Sequence, residues 1–489
     1  MRKRFLVLAV LLLGAGLTTL GCRGGPGGPP VAGTGSVTVL GTDAALCDVL
    51  SFTVTIASAT LTPQGGGMLA TVISSTPVTI ISSQDPVTVD FAALKEFSTV
   101  LNLATAPADT YTKLTVTFSN PQLTILDVTK SPPGPVTITT NLTSLTVSMD
   151  LDPPLTITSS GSVSLTIDFN LRKSVQLDAL GQVTGTVNPV VQVTSQTTET
   201  ERGFDEIMGL VQNVTTTSAD NSFTGSFDVQ VRSGQKFTVH VNTNTVLKNV
   251  GLGALMNGTF VKVSGFIDAM GNLVARKVEA EETELGQMAA FVGVVTSVGS
   301  RDPAGNVTQF DMFIREEDPD ESACVQPKSL LLVNVATPTK FDLEEKEANQ
   351  GLLTFDATTL GPGQELVVHG QCQPGVTPRV NVTSIFLRLQ TFVGDFSKLL
   401  AAALDGKAGG FEFVPCGTAF HGKPVTVFTF TNTAFKGVTD LKSLSAQFPK
   451  SGLAVKGLLL YDQQAVTVNT ISVTPPAAVM EAVEVHQIE

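Results

Sequence analysis

Met208-Gly-Leu-Val-Gln-Asn-Val214 opens a stretch that continues through Val261-Lys-Val-Ser-Gly265 and closes with Gly271-Asn-Leu-Val-Ala-Arg-Lys-Val-Glu279. Apolar and polar residues alternate in each piece, the pattern of a strand with one face on a core. The outline returns twice downstream. A glycine among β-formers opens each copy, at Gly209, Gly293 and Gly394. An aromatic strand follows, as Phe227-Asp-Val229, Phe310-Asp-Met-Phe313 and Phe411-Glu-Phe-Val414. Next comes a Thr-containing turn with an apolar residue, at Asn244-Thr-Val-Leu247, Thr337-Pro-Thr-Lys-Phe341 and Asn432-Thr-Ala-Phe435. A strand then ends in Gly265, Gly370 or Gly457, and the expected last strands are 273–280, 379–387 and 465–473. The second copy is the longest and so carries insertions. Short strands with glycine at the bends suit a small closed barrel, because glycine permits the tight coiling that closure demands. Short helical pieces are expected at 252–256 and 398–404.

Upstream of the repeats, 35–199 reads as a β-domain of another kind. Gly35-Ser-Val-Thr-Val-Leu-Gly-Thr-Asp43 alternates strictly, and so does the run from Leu50 to Leu61. Further strands are expected at 87–90, 113–118, 122–128, 136–140, 144–150, 162–170 and 187–194, with a helical turn or two only within 91–103. That succession, nearly without helix, indicates an antiparallel sandwich. The whole chain is therefore expected to be all-β, an N-terminal antiparallel β-sandwich followed by three small OB-like β-barrels. The expected units are 35–199 for the sandwich, then 206–283, 286–390 and 391–489 for the barrels.

The N-terminus sets the compartment. Arg2-Lys3-Arg4 precedes an apolar run, the layout of a signal peptide. It ends Leu17-Thr-Thr-Leu-Gly-Cys22, which resembles the lipobox of bacterial lipoproteins, although Thr19 stands where that family prefers Leu. The resemblance implies that 1–22 is processed at Cys22, which becomes the lipid-bearing N-terminus and anchors the protein to a membrane. Residues 23–34, rich in Gly and Pro, read as a tether. Arg23, rather than Asp, follows the Cys, and by the same resemblance this points to the outer membrane of a Gram-negative cell envelope. An exported chain also invites disulfides among Cys47, Cys324, Cys372 and Cys416, with three possible connectivities. Cys324 and Cys372 share one repeat and are the candidate pair; Cys47 and Cys416 lie in distant units and read as free, buried thiols.

The sandwich resembles a family of unknown function in exported bacterial lipoproteins. Gly41-Thr-Asp-Ala-Ala45 is close to that family's Leu-Thr-Asp-Ala-Pro, and Ala106-Pro-Ala-Asp-Thr-Tyr111 to its Leu-Pro-Ala-Gly-Thr-Tyr. Leu165-Thr-Ile-Asp-Phe169 and Asn188-Pro-Val-Val191 complete the correspondence. The first barrel resembles a second OB-like domain of unknown function from bacterial exported proteins. Neither resemblance brings a mechanism. Tyr111 is expected to pack its ring in the core and tie its hydroxyl to backbone.

Charge and aromatic content limit the ligands. The net charge is −13, with no Trp and two Tyr, so the clustered cations and stacking faces that nucleic acid requires are missing. Asp43 and Asp168 form an imaginable metal or acid–base pair, but turn-capping and strand-ending roles explain them more simply. His240, His369, His421 and His486 stand singly, without metal-ligand spacing. Glu316-Glu-Asp-Pro-Asp-Glu321 lacks the alternation of a calcium loop and reads as a solvated insertion. No cofactor, metal site or catalytic residue is implied. The leading expectation is a lipid-anchored, non-enzymatic envelope protein with a structural, adhesive or binding role toward a cell-wall, glycan or protein partner. The alternative is a divergent carbohydrate-processing or hydrolytic enzyme with a site between domains. An outer-membrane β-barrel would suit the mean hydropathy of +0.25, but the aromatic girdles of such barrels are missing.

Overall fold

The computed structural model describes residues 33–488 except 43–48, 66–75, 95–97, 128, 142–143, 178–182, 198–201, 217–221, 232–233, 281–288, 319–323, 326–327, 345–353, 417–422, 448–451, 463–465, 469–470 and 474–476. The signal peptide, Cys22 and residues 23–32 of the tether therefore lie outside the described residues, as do Asp43, Cys47 and His421.

The first unit is a two-sheet β-structure. Its early strands are β1 (Thr34–Thr42), β2 (Val49–Pro63), β3 (Val78–Ile81), β4 (Val87–Asp90), β5 (Thr99–Pro107) and β6 (Asp109–Asp127). The later ones are β7 (Gly134–Ile138), β8 (Ser144–Ile157), β9 (Ser162–Phe169), β10 (Val175–Leu177), β11 (Val183–Val187) and β12 (Val191–Gln196). One sheet has the order β12-β9-β1-β5; in the other, β2 pairs with β3, β4 and β6, and β6 with β7 and β8. Pairing is antiparallel except between β1 and β9, which run parallel. The inward residues of both sheets meet in one core, where the rings of Phe52, Phe91 and Phe118 surround Phe169 at 5.1–5.5 Å.

Three local expectations change. The segments 113–118 and 122–128 belong to one strand, β6, in which Asn120 takes a φ of 51° rather than ending it. The expected strand 187–194 is broken between β11 and β12, where Pro189 has no N–H to give a ladder. Among the described residues of 91–103 the helical turn is α1 (Phe91–Leu94), and Thr99 already belongs to β5.

The barrels repeat one topology. In the first, β13 (Gly203–Thr215), β14 (Gly225–Gln230), β15 (Lys236–Val241), β16 (Val246–Lys248), β17 (Phe260–Ile267) and β18 (Leu273–Ala280) follow the order β15-β14-β13-β17-β18-β16. A parallel β15–β18 pairing closes the ring. The second is a closed barrel of β19 (Ala289–Arg301), β20 (Val307–Asp318), β21 (Leu330–Leu343), β22 (Glu365–Gln373) and β23 (Arg379–Leu387). Its β21 does the work of β15 and β16 together, pairing with β23 on both sides of a register shift between Val335 and Lys340. Residues 316–318 of the expected loop belong instead to strand β20, and 319–321 lie outside the described residues.

The third barrel comprises β24 (Gln390–Ala402), β25 (Gly409–Pro415), β26 (Val425–Thr429), β27 (Ala434–Lys436) and β28 (Gly452–Asp462), then β29 (Val466–Val468), β30 (Ile471–Val473) and β31 (Ala477–Ile488). Its order β26-β25-β24-β28-β31-β27, closed by a parallel β26–β31 pairing, copies the first barrel strand for strand. Two expectations fall here. The closing strand is β31, not 465–473, which folds as a separate β29–β30 hairpin. Both segments alternate, and only pairing with β28 distinguishes them. The segment 398–404 is not helical: β24 runs to Ala402, its carbonyls and amides taken up by β25. A helix lies instead at α3 (Leu441–Gln447), where the Asp440 carboxylate caps the Ser443 N–H at 2.7 Å. The other expected helical piece is a 3₁₀ turn at Leu252–Ala254.

The repeated glycines have a common physical cause. A Cβ at Gly209, Gly293 or Gly394 would fall 2.2–2.3 Å from the carbonyl oxygen of Gln230, Phe313 or Val414 on the next strand. At Gly265, Gly370 and Gly457 it would fall 2.1–2.4 Å from the carbonyl oxygens of Val274, Asn381 and Glu481. Four of the six sit beside a register shift of their ladder. At these points the strands approach so closely that no side chain fits between them.

The units pack on one another. Leu40 and Val100 of the sandwich join the first barrel's core, and Leu50 and Leu126 meet Phe313 beside Leu330 of the second barrel. Phe428, Leu458, Leu460, Ile471 and Val479 of the third barrel belong to the same apolar cluster as the second barrel's interior.

Candidate functional site at the junction of the first two barrels

Among the described residues, a dense set of ionisable groups lies where the first two barrels meet. β13 carries one extra residue between Phe204 and Ile207 relative to β17. This bulge sends Asp205 toward the sandwich, where its carboxylate accepts from the Ser98 N–H at 2.9 Å and hydroxyl at 3.0 Å. Glu206 points to the second barrel. Lys262, on β17, stands 3.3 Å from Glu206 and 3.5 Å from Glu344, the residue following β21.

Arg388, just past β23, ties the group together. Its Nε donates to Glu344 at 2.7 Å, Nη1 to Glu365 at 2.9 Å and Nη2 to both oxygens of Glu206 at 3.1 and 3.2 Å. The planar fork of guanidinium donors suits such three-way recognition. Glu365 also accepts from Arg315 Nη1 at 2.7 Å. Gln390 holds the Glu365 strand from behind, its Oε1 accepting from the Glu365 N–H and its Nε2 donating to the Gly363 carbonyl. The Arg315 and Arg388 side chains keep only 4% and 7% exposure.

Electrostatics follow from this arrangement. Burial pushes the Glu344 carboxyl up, but Arg388 and Lys262 outweigh it and hold it down to about 2. Three carboxylates face three cations, so the cluster is balanced and each formal charge has an opposite neighbour. Such a set can fix the relative placement of two barrels. Each of its cations is already paired with a carboxylate, and Glu344 stays ionised far below neutrality.

The residues singled out by sequence are placed as follows. Cys324 and Cys372 are joined by a disulfide, with Cα atoms 6.1 Å apart, fixing the segment before β21 to β22. Cys416 is disulfide-bonded too, against the expectation of a free thiol; separation along the chain is a poor guide to distance in a folded protein. The Tyr111 hydroxyl donates to the Pro107 carbonyl at 2.9 Å, with the ring 1% exposed. Asp168, next to the end of β9, has one buried oxygen without a hydrogen-bond partner. Burial pushes it up to about 6, and Lys173 pulls it back only in part.

His240, His369 and His486 lie on three different barrels; His240 sits by Phe223 at 4.4 Å and His369 by Phe386 at 5.3 Å. Among the described residues no group of three or more His, Cys, Asp or Glu side chains is placed to hold a metal ion. Sequence reading did not find the junction cluster, whose members run from Glu206 to Arg388 as separate charges on unremarkable strands. The one available signal was a charge beside each of two repeat landmarks, Lys262 before Gly265 and Glu365 before Gly370.

Residues 34–189 match the model of a domain of unknown function (DUF4382), and residues 208–279 match a second domain of unknown function (DUF5666). These are the two regions whose motifs indicated domains of unknown function. No curated protein matches the chain. One similar solved structure is titled "drosophila Unr CSD456", at 10% identity over 58% of this chain and 97% of that chain, with a TM-score of 0.13. That likeness is too slight to carry an argument.

Proposed function

We propose that this protein is a lipid-anchored component of a bacterial cell envelope, held at the outer membrane through Cys22, with a structural, adhesive or binding role and no catalytic centre. The observation that carries the reading is the balanced cluster around Arg388, because its buried charged side chains are committed to joining two barrels. A hydrolytic site between domains needs convergent carboxylates with different proton affinities, one of them kept protonated near neutrality. Glu206, Glu344 and Glu365 are instead each matched to a cation. The partner belongs to the same reading: a cell-wall polymer, glycan or protein contacted by the outer faces of the sheets, with the OB-like barrels serving as spacers and contact surfaces.

Two measurements test this. Cells fed an alkyne-bearing fatty acid should label the protein, and the Cys22→Ala variant should lose both the label and membrane fractionation; a variant that still labels overturns the anchor. The soluble fragment 35–489 should retain envelope material in a pull-down without changing it. Release of reducing sugars or peptides from that material, abolished by Glu206→Gln, would overturn the non-enzymatic reading.

A further inference from the structure

A second polar seam lies between the sandwich and the first barrel, and its charge is not balanced. Arg202, immediately before β13, is 3% exposed. Its Nη1 donates to the Ser162 carbonyl at 3.0 Å, while its Nε is buried without a hydrogen-bond partner. No carboxylate pairs with it among the described residues. Beside it, Ser162 Oγ is also buried and unpartnered, and so is Thr38 Oγ1, on a residue 1% exposed.

The strand register brings these groups to one face. β1 and β9 run parallel with Ser36 opposite Ser162 and Thr38 opposite Ser164. All four therefore stand on the outer side of the sheet, away from the Val37, Val39, Val163 and Leu165 core. The first barrel covers that face. Ser36 Oγ donates to the Met270 carbonyl at 3.3 Å, a Cβ on Gly271 would lie 3.4 Å from Ser162 Oγ, and Arg202's own carbonyl accepts from the Ile267 N–H. Asp268, in the same turn, commits its carboxylate to the N–H groups of Met270 and Asn272 and the Asn272 side chain.

We propose that this seam binds one small inorganic anion, held by Arg202 Nε with the hydroxyl of Ser162. A guanidinium cannot shed its proton to escape burial, and an enclosed cation without a counter-charge is strongly disfavoured. A water molecule would satisfy the hydrogen bonds but leave the charge. Every open group is a donor or a hydroxyl able to donate, which selects an anion over a cation. The enclosure of Arg202 excludes a lipid headgroup or any larger phosphorylated ligand, so the ion is free and small. Its consequence is mechanical: the angle between the tethered sandwich and the barrels depends on an ion rather than on protein contacts alone.

Thermal melting of the full chain tests this, at constant ionic strength, as bulky sodium gluconate is replaced by sodium chloride or, in a second arm, by sodium phosphate. A bound anion raises the midpoint by roughly 2–4 °C, in the chloride arm for a halide-sized site and in the phosphate arm for an oxyanion. Arg202→Met should abolish the rise in either arm. An equal rise in both proteins, or none in the wild type, overturns the proposal. If Arg202→Met does not fold, wild-type crystals soaked in sodium bromide and, in parallel, in sodium selenate decide. An anomalous peak beside Arg202 Nε in either soak supports the site, and a seam without one in both refutes it.

Discussion

The second barrel is joined to its two neighbours in opposite ways. Toward the first barrel the contact is ionic, centred on Arg388 and its three carboxylates. Toward the third it is apolar: Phe428, Leu458, Leu460 and Val479 merge with the second barrel's own core. Most polar groups at this second joint are neutral, although the Glu481 carboxylate, 1% exposed, is enclosed there between Phe428 and Leu458. Gln364, fully buried, donates to the carbonyls of Thr359 and Leu459 and accepts from the Gly361 N–H. The Tyr461 hydroxyl donates to the Pro362 carbonyl at 2.6 Å, with its ring where a Gly361 Cβ would need to be; burial pushes that hydroxyl's pKa up. An apolar joint gains strength from area and is indifferent to salt, whereas an ionic joint selects one orientation and is open to solution conditions. The second and third barrels should therefore behave as one body, with the first able to separate from it.

The largest effect that could break this comparison comes from Phe428→Ala. Emptying that ring from the shared core should cost about 4 kcal/mol, read as a lower guanidinium midpoint for the second and third barrels together. Two resolved transitions instead would show that they do not share a core. Arg388→Met should come next, at about 2–3 kcal/mol. Glu206 and Glu344 retain 18% and 16% side-chain exposure, so their stranded charges are partly solvated. The loss should appear as faster hydrogen exchange along β13 and β17, with the third barrel unaffected.

The smallest effect is acid loosening of the same joint. Glu344 titrates at about 2 in the folded chain and near its ordinary 4.5 when unfolded. Its contribution is complete above pH 4.5 and is lost as pH falls from there toward 2. Exchange measured at pH 6 and pH 3 should therefore differ at the ionic joint and match at the apolar one. A difference of the same size at both would mean general acid unfolding.

The same contrast explains what could be read in advance. Alternation and the six glycines outline three barrels because each glycine answers a local demand, a neighbouring carbonyl too close for a Cβ. The strands 273–280 and 379–387 were legible to the residue, since each alternates next to one of those glycines. The closing strand of the third barrel was not, because β29, β30 and β31 all alternate and the choice among them is made by pairing with β28. The candidate site was opaque for a similar reason. Glu206 and Arg388 are 182 positions apart, and a charge matched across that distance looks, in sequence, like one facing water. The Cys416 disulfide escaped too, because separation along the chain does not give distance in the fold.

The bulge in β13 has one more consequence. Adjacent strand residues ordinarily face opposite sides, and the extra residue here lets Asp205 address the sandwich while Glu206 addresses the second barrel. A one-residue deletion would reverse the facing of every side chain on one side of it, turning Ile207 and Val211 out of the first barrel's core or Phe204 away from it. Loops elsewhere can lengthen or shorten without altering which face is which. At this dipeptide the reading frame of the fold is fixed, and the chain's length between Arg202 and Met208 is itself a structural element.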